Sequence, residues 1–325
     1  MRGLWIEDGA LRLREDLDDL QAKTNETRVK ILRAGVCATD LALLRGYMDF
    51  RGVPGHEFVG VALEGPHKDR RVVGDINAAC GECDWCAKGL GRHCPNRTVL
   101  GIFGRPGAFA DEICLPTRNL HLVPESLPTD WATFAEPAAA AYEMTEQLSL
   151  QPGMRALVQG DGRLGLLCAQ VLAGERLEVD LIGRHPERGE WLPDSIRHLG
   201  NGKKEAHGKL YDLVVEATGH ENGIATALGR VRPRGTVLLK TTTERSSGDG
   251  LGLDLAKLVV DEISLVGSRC GPFAPALEAL SDGRLVVAPM IEARYPLSEG
   301  ALAFDRASQR GVLKILIDVN DDDAN

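Results

Sequence analysis

Apolar and polar positions divide this chain into two textures. In the first third, LWIEDGALRLRE and RVKILRAGV show near-alternation, and glycine or proline interrupts VPGHEFVGVALEGP and RVVGDINAACG. Alternation with such punctuation predicts short strands and turns, an irregular β domain. From Ala156 the pattern becomes one of apolar runs separated by helical stretches: ALVQG, a helix from Arg163 to about Ala173, EVDLIG, a helix after Pro186, YDLVVEATG, a helix near Asn222 to Val231, GTVLLK and ISLVGS. Strand and helix alternating at this spacing predict βαβ units and a parallel sheet. From about Gly271 come a helix in PALEALSDG, an extended ARYPL, an amphipathic EGALAFDRASQ and a last strand, VLKILID. A tail of this size hardly folds alone, so it is expected to pack onto one of the larger units. The acidic end, DDDAN, is expected to fray.

With 325 residues, 43% of them hydrophobic and 26% charged, the chain has material for about two cores. That composition argues against disorder, and a net charge of -9 argues against a nucleic-acid binder, which collects phosphates on a basic stripe. No run approaches the ~18 apolar residues of a membrane span, and MRGLWIEDGALRLRED has acids where a signal peptide is apolar. The expectation is a cytoplasmic protein without a membrane or nucleic-acid partner.

Eight cysteines are left to explain. In a chain this long without an export signal, disulfide staples are not expected. Cys80, Cys83, Cys86 and Cys94 lie on one short loop, GECDWCAKGLGRHC, that can wrap a single tetrahedral ion. Zn2+ suits four thiolates with no open position, which makes this a structural site. Two disulfides, or an iron–sulfur cluster favoured by Pro95, are the alternatives. His93 is not expected to ligate, because four thiolates already saturate the ion.

Three further motifs flank that loop: Gly35-Val36-Cys37-Ala38-Thr39-Asp40, Gly55-His56-Glu57 and Ala135-Glu136-Pro137. Each alone is weak, since a lone cysteine or histidine is usually a core residue. Together they supply a thiolate, an imidazole and carboxylates, the donor set of a catalytic zinc that keeps a position open. Later, Gly160-Asp161-Gly162-Arg163-Leu164-Gly165 follows a strand and opens a helix. Such a turn brings backbone close to a pyrophosphate and aims a helix N-terminus at its charge. A carboxylate that takes the ribose hydroxyls is expected at the end of the next strand, yet EVDLI is followed by Gly183-Arg184-His185. With no acid there and a guanidinium beside it, the site leans toward NADP(H) over NAD(H).

In this order GVCATD, PGHEFVG, the four-cysteine loop, the Glu-Pro pair and the glycine turn resemble the zinc-dependent medium-chain dehydrogenase/reductase superfamily. The likeness covers nearly the whole chain and is strongest for the polyol, threonine and glucose dehydrogenase-like branch. It implies an α/β protein: a doubly wound Rossmann sheet over 139–268 and a GroES-like, partly open β-barrel catalytic domain from 1–138 and 269–325, the zinc lobe lying at 80–96. It implies two zinc ions per chain, and a cleft between the domains for zinc, nicotinamide and substrate. By the resemblance Cys37 and His56 bind the catalytic zinc, Glu57 and Glu136 share the remaining protein position, Asp40 accepts from the other ring nitrogen of His56, and Thr39 passes the alcohol proton on. Ala42 stands where many relatives carry a proton-relay histidine, which leaves the exit to water. Cofactor contacts are expected from Gly160, Gly162, Arg163, Leu164, Gly165, Gly183, Arg184 and Thr218, and Ser268-Arg269-Cys270 is expected near the nicotinamide. Tyr47 and Phe103 are candidate pocket walls, while Trp85 and Trp131 are expected to pack. The activity implied is hydride transfer between an alcohol, polyol or sugar hydroxyl and a nicotinamide, in a dimer or tetramer. The competing function is a catalytically silent nucleotide-sensing or structural protein, against which the intact set of Cys37, His56, Glu57 and Glu136 counts.

Overall fold

A computed structural model of the chain describes residues 1–201, 208, 210–241 and 253–320; the acidic DDDAN end lies outside them. The chain divides into two compact units, one of residues 1–136, 276–281 and 287–325, the other of 137–275 and 282–286.

The first unit is built around the strand Glu26–Gly35. Its first half alternates buried and half-buried positions and its second half is wholly buried, as its partners demand. Antiparallel neighbours are Glu57–Ala62 on one side, and Glu112–Pro116 and Lys314–Asp318 along the other. Lys314–Asp318 carries Ile291–Pro296 in parallel, and Glu57–Ala62 continues into Arg71–Gly74 and Leu120–Leu122. The resulting seven-stranded sheet is mixed, and Leu120–Leu122, Ile291–Pro296 and Glu112–Pro116 each pair with one other strand. The tail thus enters the core of a unit begun by the N-terminus. Its helix Gly300–Ser308 sets the ring of Phe304 edge-on to Phe109, with centroids 5.5 Å apart. A three-stranded sheet of Asn77–Ala78, Thr98–Leu100 and Gly104–Arg105 flanks the cysteine loop.

The second unit holds six parallel strands in the order Ile196–His198, Glu178–Ile182, Arg155–Gln159, Tyr211–Glu216, Val231–Leu239, Ser264–Gly267. Reversal of direction at the first strand, Arg155–Gln159, is the doubly wound order, with ligands expected beyond the carboxyl ends. Leu157, Val214 and Val237 from three strands pack with Ile224, Ala227 and Leu228 of the helix Gly223–Leu228. Two sequence expectations change here. The segment after Pro186 is only a 3-10 turn, Pro186–Trp191, because Gly189 weakens a helix, Pro193 cannot continue one, and Arg188 turns inward. The helix near Asn222 ends at Leu228, and Val231 already pairs with Tyr211. No described helix is long and apolar enough to cross a membrane.

Tyr211 is buried and donates its hydroxyl to Asp180 Oδ2 at 2.7 Å, while Arg197 Nη2 reaches both Asp180 oxygens at 2.6 and 2.8 Å. Tyr211→Phe should therefore destabilise the protein by about 1.5–3 kcal/mol, the range for a hydrogen bond to a charged group. Urea unfolding checks this, and an unchanged midpoint would show that Arg197 alone satisfies Asp180.

Candidate functional site

Two clusters of metal-ligating side chains form among the described residues, both in the first unit. The first belongs to the loop after Asn77–Ala78. Its sulfurs stand 3.5 Å apart for Cys80 and Cys94, 3.6 Å for Cys83 and Cys86, 3.7 Å for Cys83 and Cys94, and 3.9 Å for Cys80 and Cys86. A tetrahedron of sulfurs ~2.3 Å from a zinc ion has edges of ~3.8 Å, so the four thiols fit that ion as they stand. All four are free thiols. The backbone N–H groups of Glu82 and Cys83 hold the Cys80 thiol down to about 6, whereas desolvation pushes Cys86 up to about 11. The neighbouring thiols favour the ionised form of Cys80 and disfavour that of Cys86, so ionisation of all four would need a cation among them. His93 is exposed and takes no part. Trp85 is 50% exposed, so it is not the packing residue expected of it.

The second cluster is assembled from Cys37, His56 and Glu57, whose ligand atoms lie within 4.8 Å of one another. Cys37 follows the buried strand Glu26–Gly35 and N-caps the helix Ala38–Leu44. Asp40, fully buried in the first turn, accepts the Cys37 backbone N–H at 2.8 Å and the Gly55 N–H at 3.1 Å. Gly55 has φ +103, and a Cβ there would come within 2.9 Å of the Phe109 ring and backbone, so only glycine makes this turn. One carboxylate therefore fixes both segments that carry the candidate ligands. His56 Nδ1 lies 3.3 Å from Asp40 Oδ1, outside good hydrogen-bond alignment, and is buried without a hydrogen-bond partner. Burial alone would lower the His56 pKa, but Asp40 and Cys37 raise it well above its ordinary value. Thr39 Oγ1 is 3.8 Å from Cys37 Sγ.

Lys314 was not anticipated. It is 1% exposed, pairs directly with the Glu57 carboxylate, and holds Nζ 5.4 Å from the centre of the Phe134 ring. A lysine opening an otherwise apolar buried strand, KILI, was the available signal. Glu136, at the start of the helix Ala135–Gln147, stands outside the group of three. Desolvation pushes its carboxyl up to about 7, with Glu57 and Asp75 adding to the shift and His56 and Lys314 opposing it.

In the second unit the glycine turn has the shape a pyrophosphate needs. Gly160 adopts φ +104, and a Cβ on Gly165 would lie 1.9 Å from the Gly160 carbonyl oxygen, so the helix Arg163–Gly174 packs too close for any side chain there. A Cβ on Gly162, the N-cap, meets nothing within 4 Å, which leaves the helix N-terminus open. Thr218 gives both its N–H and its hydroxyl to the buried Glu216 carboxylate, whose other oxygen accepts from Thr241 Oγ1 at 2.9 Å. Arg184 is exposed. Asp161 is buried beside Gly183, an arrangement that sequence reading missed.

Residues 23–125 match the family described as Alcohol dehydrogenase GroES-like domain. D-arabinitol dehydrogenase 1 of Uromyces fabae is 27% identical over 91% of this chain and 90% of its own. Alcohol dehydrogenase TADH from Thermus sp. ATN1 superposes with a TM-score of 0.87 at 25% identity, covering 98% of this chain and 100% of that one. An alcohol dehydrogenase of E. coli CFT073, solved with NADH, gives 0.87 at 24% identity over 98% and 99%. Together these likenesses support the zinc-type medium-chain dehydrogenase/reductase superfamily for this chain. The Rossmann sheet and the GroES-like domain are its two parts.

Two outcomes follow from these geometries. Cys83→Ser should lose one zinc ion per chain and lower the melting temperature by several degrees; full zinc content in that variant would exclude the four-thiol site. In chelator-treated protein, Glu136 keeps its proton to about pH 7 when folded but gives it up near 4.5 when unfolded, so the folded state binds more protons between these values. Stability should fall as pH rises through that window, and Glu136→Gln should flatten the fall in a pH series of denaturant titrations.

Proposed function

We propose that the protein is a zinc-dependent oxidoreductase that moves a hydride between a hydroxyl of an alcohol, polyol or sugar and a nicotinamide cofactor. The observation that carries this reading is the Cys37, His56 and Glu57 cluster in a chain alignable almost end to end with a polyol dehydrogenase. When bound, zinc supplies a Lewis acid for the substrate oxygen, and the nicotinamide supplies the hydride acceptor or donor. Cys37 and His56 would hold the catalytic ion. Glu57 and Glu136 would share the last protein position, Glu57 bringing with it the charge of Lys314. Asp40 keeps the two ligand segments in place through the Cys37 and Gly55 N–H groups. Thr39 would take the substrate proton, and because Ala42 has no titratable group, the proton would leave through water.

A second zinc would sit among Cys80, Cys83, Cys86 and Cys94 and do no chemistry. The cytoplasm, where thiols stay reduced, suits such a site. Gly160, Gly162, Arg163, Leu164 and Gly165 would cradle the pyrophosphate. Gly183 and Arg184 are the sequence's argument for NADP(H), and Thr218 would approach the nicotinamide. We further propose a homo-oligomer. Its support is the outer strand Ser264–Gly267, together with the helix Leu255–Val260 before it in the chain, whose Leu255, Val259 and Val260 are 66, 77 and 79% exposed, apolar surface that a second chain would cover.

Cys37→Ala should abolish reduction of either nicotinamide cofactor by polyols while nucleotide binding persists, and its zinc content should drop from two ions per chain to one. Stopped turnover with both zinc ions retained would refute the role given to this cysteine, and so would full activity.

A further inference from the structure

The end of the strand Glu178–Ile182 is where a dinucleotide-binding fold presents the acid for the adenosine ribose, and Gly183 leaves that place without a side chain. The place is not empty of charge. A Cβ built on Gly183 would lie 2.0 Å from Asp161 Cγ, 2.3 Å from its Oδ2 and 2.4 Å from its Cβ. The carboxylate of the glycine turn thus occupies the volume that a side chain at 183 would need. Gly183 does not adopt the left-handed backbone region, so conformation does not require glycine here; space does.

The surroundings of Asp161 fix this carboxylate and keep it ionised. Oδ2 accepts the His185 backbone N–H at 2.6 Å and faces His198 Nε2 at 3.3 Å. His198 Nδ1 accepts the Gly200 N–H at 3.1 Å, which turns Nε2, as the donor, toward the carboxylate. Arg188 Nη1 donates to the Asp161 carbonyl at 2.6 Å and is 3.8 Å from Oδ1, beyond hydrogen-bond reach. These contacts, with the Arg184 N–H, hold the carboxyl at about 2 against the opposing effect of burial. An ionised carboxylate has about four acceptor positions, and the side-chain group that faces Oδ1 among the described residues, Arg188 Nη1, stands at an ion-pair rather than a hydrogen-bond distance.

We infer that Asp161, reaching from inside the glycine turn, replaces the missing strand-end acid and recognises the ribose hydroxyls, so that the site favours NAD(H) over NADP(H). A ribose diol can donate to this carboxylate, whereas a 2′-phosphate has only negative charge to offer it. The exposed Arg184, on which the sequence leans toward NADP(H), faces solvent next to a fixed anion. The inference rests on reading the second unit as a nicotinamide-binding domain.

The test is direct binding of NADH and NADPH by fluorescence titration, which needs no turnover. Wild type should bind NADH about 10- to 100-fold more tightly than NADPH, the span of one hydrogen bond to a charged group. Asp161→Asn should narrow that ratio at least about tenfold. The swap Asp161→Ala with Gly183→Asp, which moves the acid to the strand end and removes the clash, should restore it. Gly183→Asp alone should bind either nucleotide poorly, because two carboxylates then compete for one place. A wild-type preference for NADPH would overturn the inference and leave the dehydrogenase reading intact, as would a folded Asp161→Asn with an unaltered ratio. Should Asp161→Asn not fold, the swapped protein decides: NADPH preference in it overturns the inference. Wild type that binds neither nucleotide would overturn the dehydrogenase reading and this inference together.

Discussion

A lysine sealed from water must find an anion, and in this protein that requirement joins the two ends of the chain. Lys314 is buried in the closing strand and its counter-ion is Glu57, a member of the metal-ligating cluster. Two charges withdrawn from water are tolerable only while they remain paired; removing one partner from such a pair costs about 3–5 kcal/mol. The space for the pair is made by Gly35, where a Cβ would approach Glu57 Oε2 to 2.8 Å and Lys314 Nζ to 3.3 Å. The candidate metal site therefore depends on a residue from the tail. The strand Lys314–Asp318 lies beside Glu26–Gly35, and the first unit is one core formed by two distant stretches of chain.

The same logic separates what was legible in the sequence from what was not. The four-thiol loop could be read directly, because its ligands lie within one short segment and their spacing nearly determines their geometry. Cys37, His56 and Glu57 were legible as residue types in motifs that flank the cysteine loop, and their grouping came from the family resemblance. Lys314 stood out only as a charged residue opening an apolar strand, and its partner, 257 positions away in sequence, leaves no local trace. The parallel sheet followed from the apolar runs. The segment after Pro186 misled because its polar composition suits a helix while Gly189 and Pro193 do not. Arg188 found a better use in the Asp161 carbonyl.

Asp161 and Gly183 illustrate a different limit. Each is readable alone, one as an acid in a glycine turn and the other as a strand end without its acid. Only the packing of the turn against the strand, tied by the Gly160 N–H to the Ile182 carbonyl at 2.9 Å, shows that the two positions share one volume. Absence of a side chain at one position and presence at another are then a single structural fact. Reading residues one by one from a motif treats them as independent.

The central strand has a further meaning. Gly35 lies opposite Glu57 and also opposite Leu316, so the pairings on its two flanks meet at one residue. In a sheet, slipping a strand by one residue turns every side chain to the other face. A slip of either neighbour would carry Glu57 or Lys314 away from the other while leaving most backbone hydrogen bonds replaceable. Strand register in this unit thus determines which atoms meet at the Cys37, His56 and Glu57 cluster as well as which surface is buried, and a misregistered fold would part Glu57 from Lys314 first.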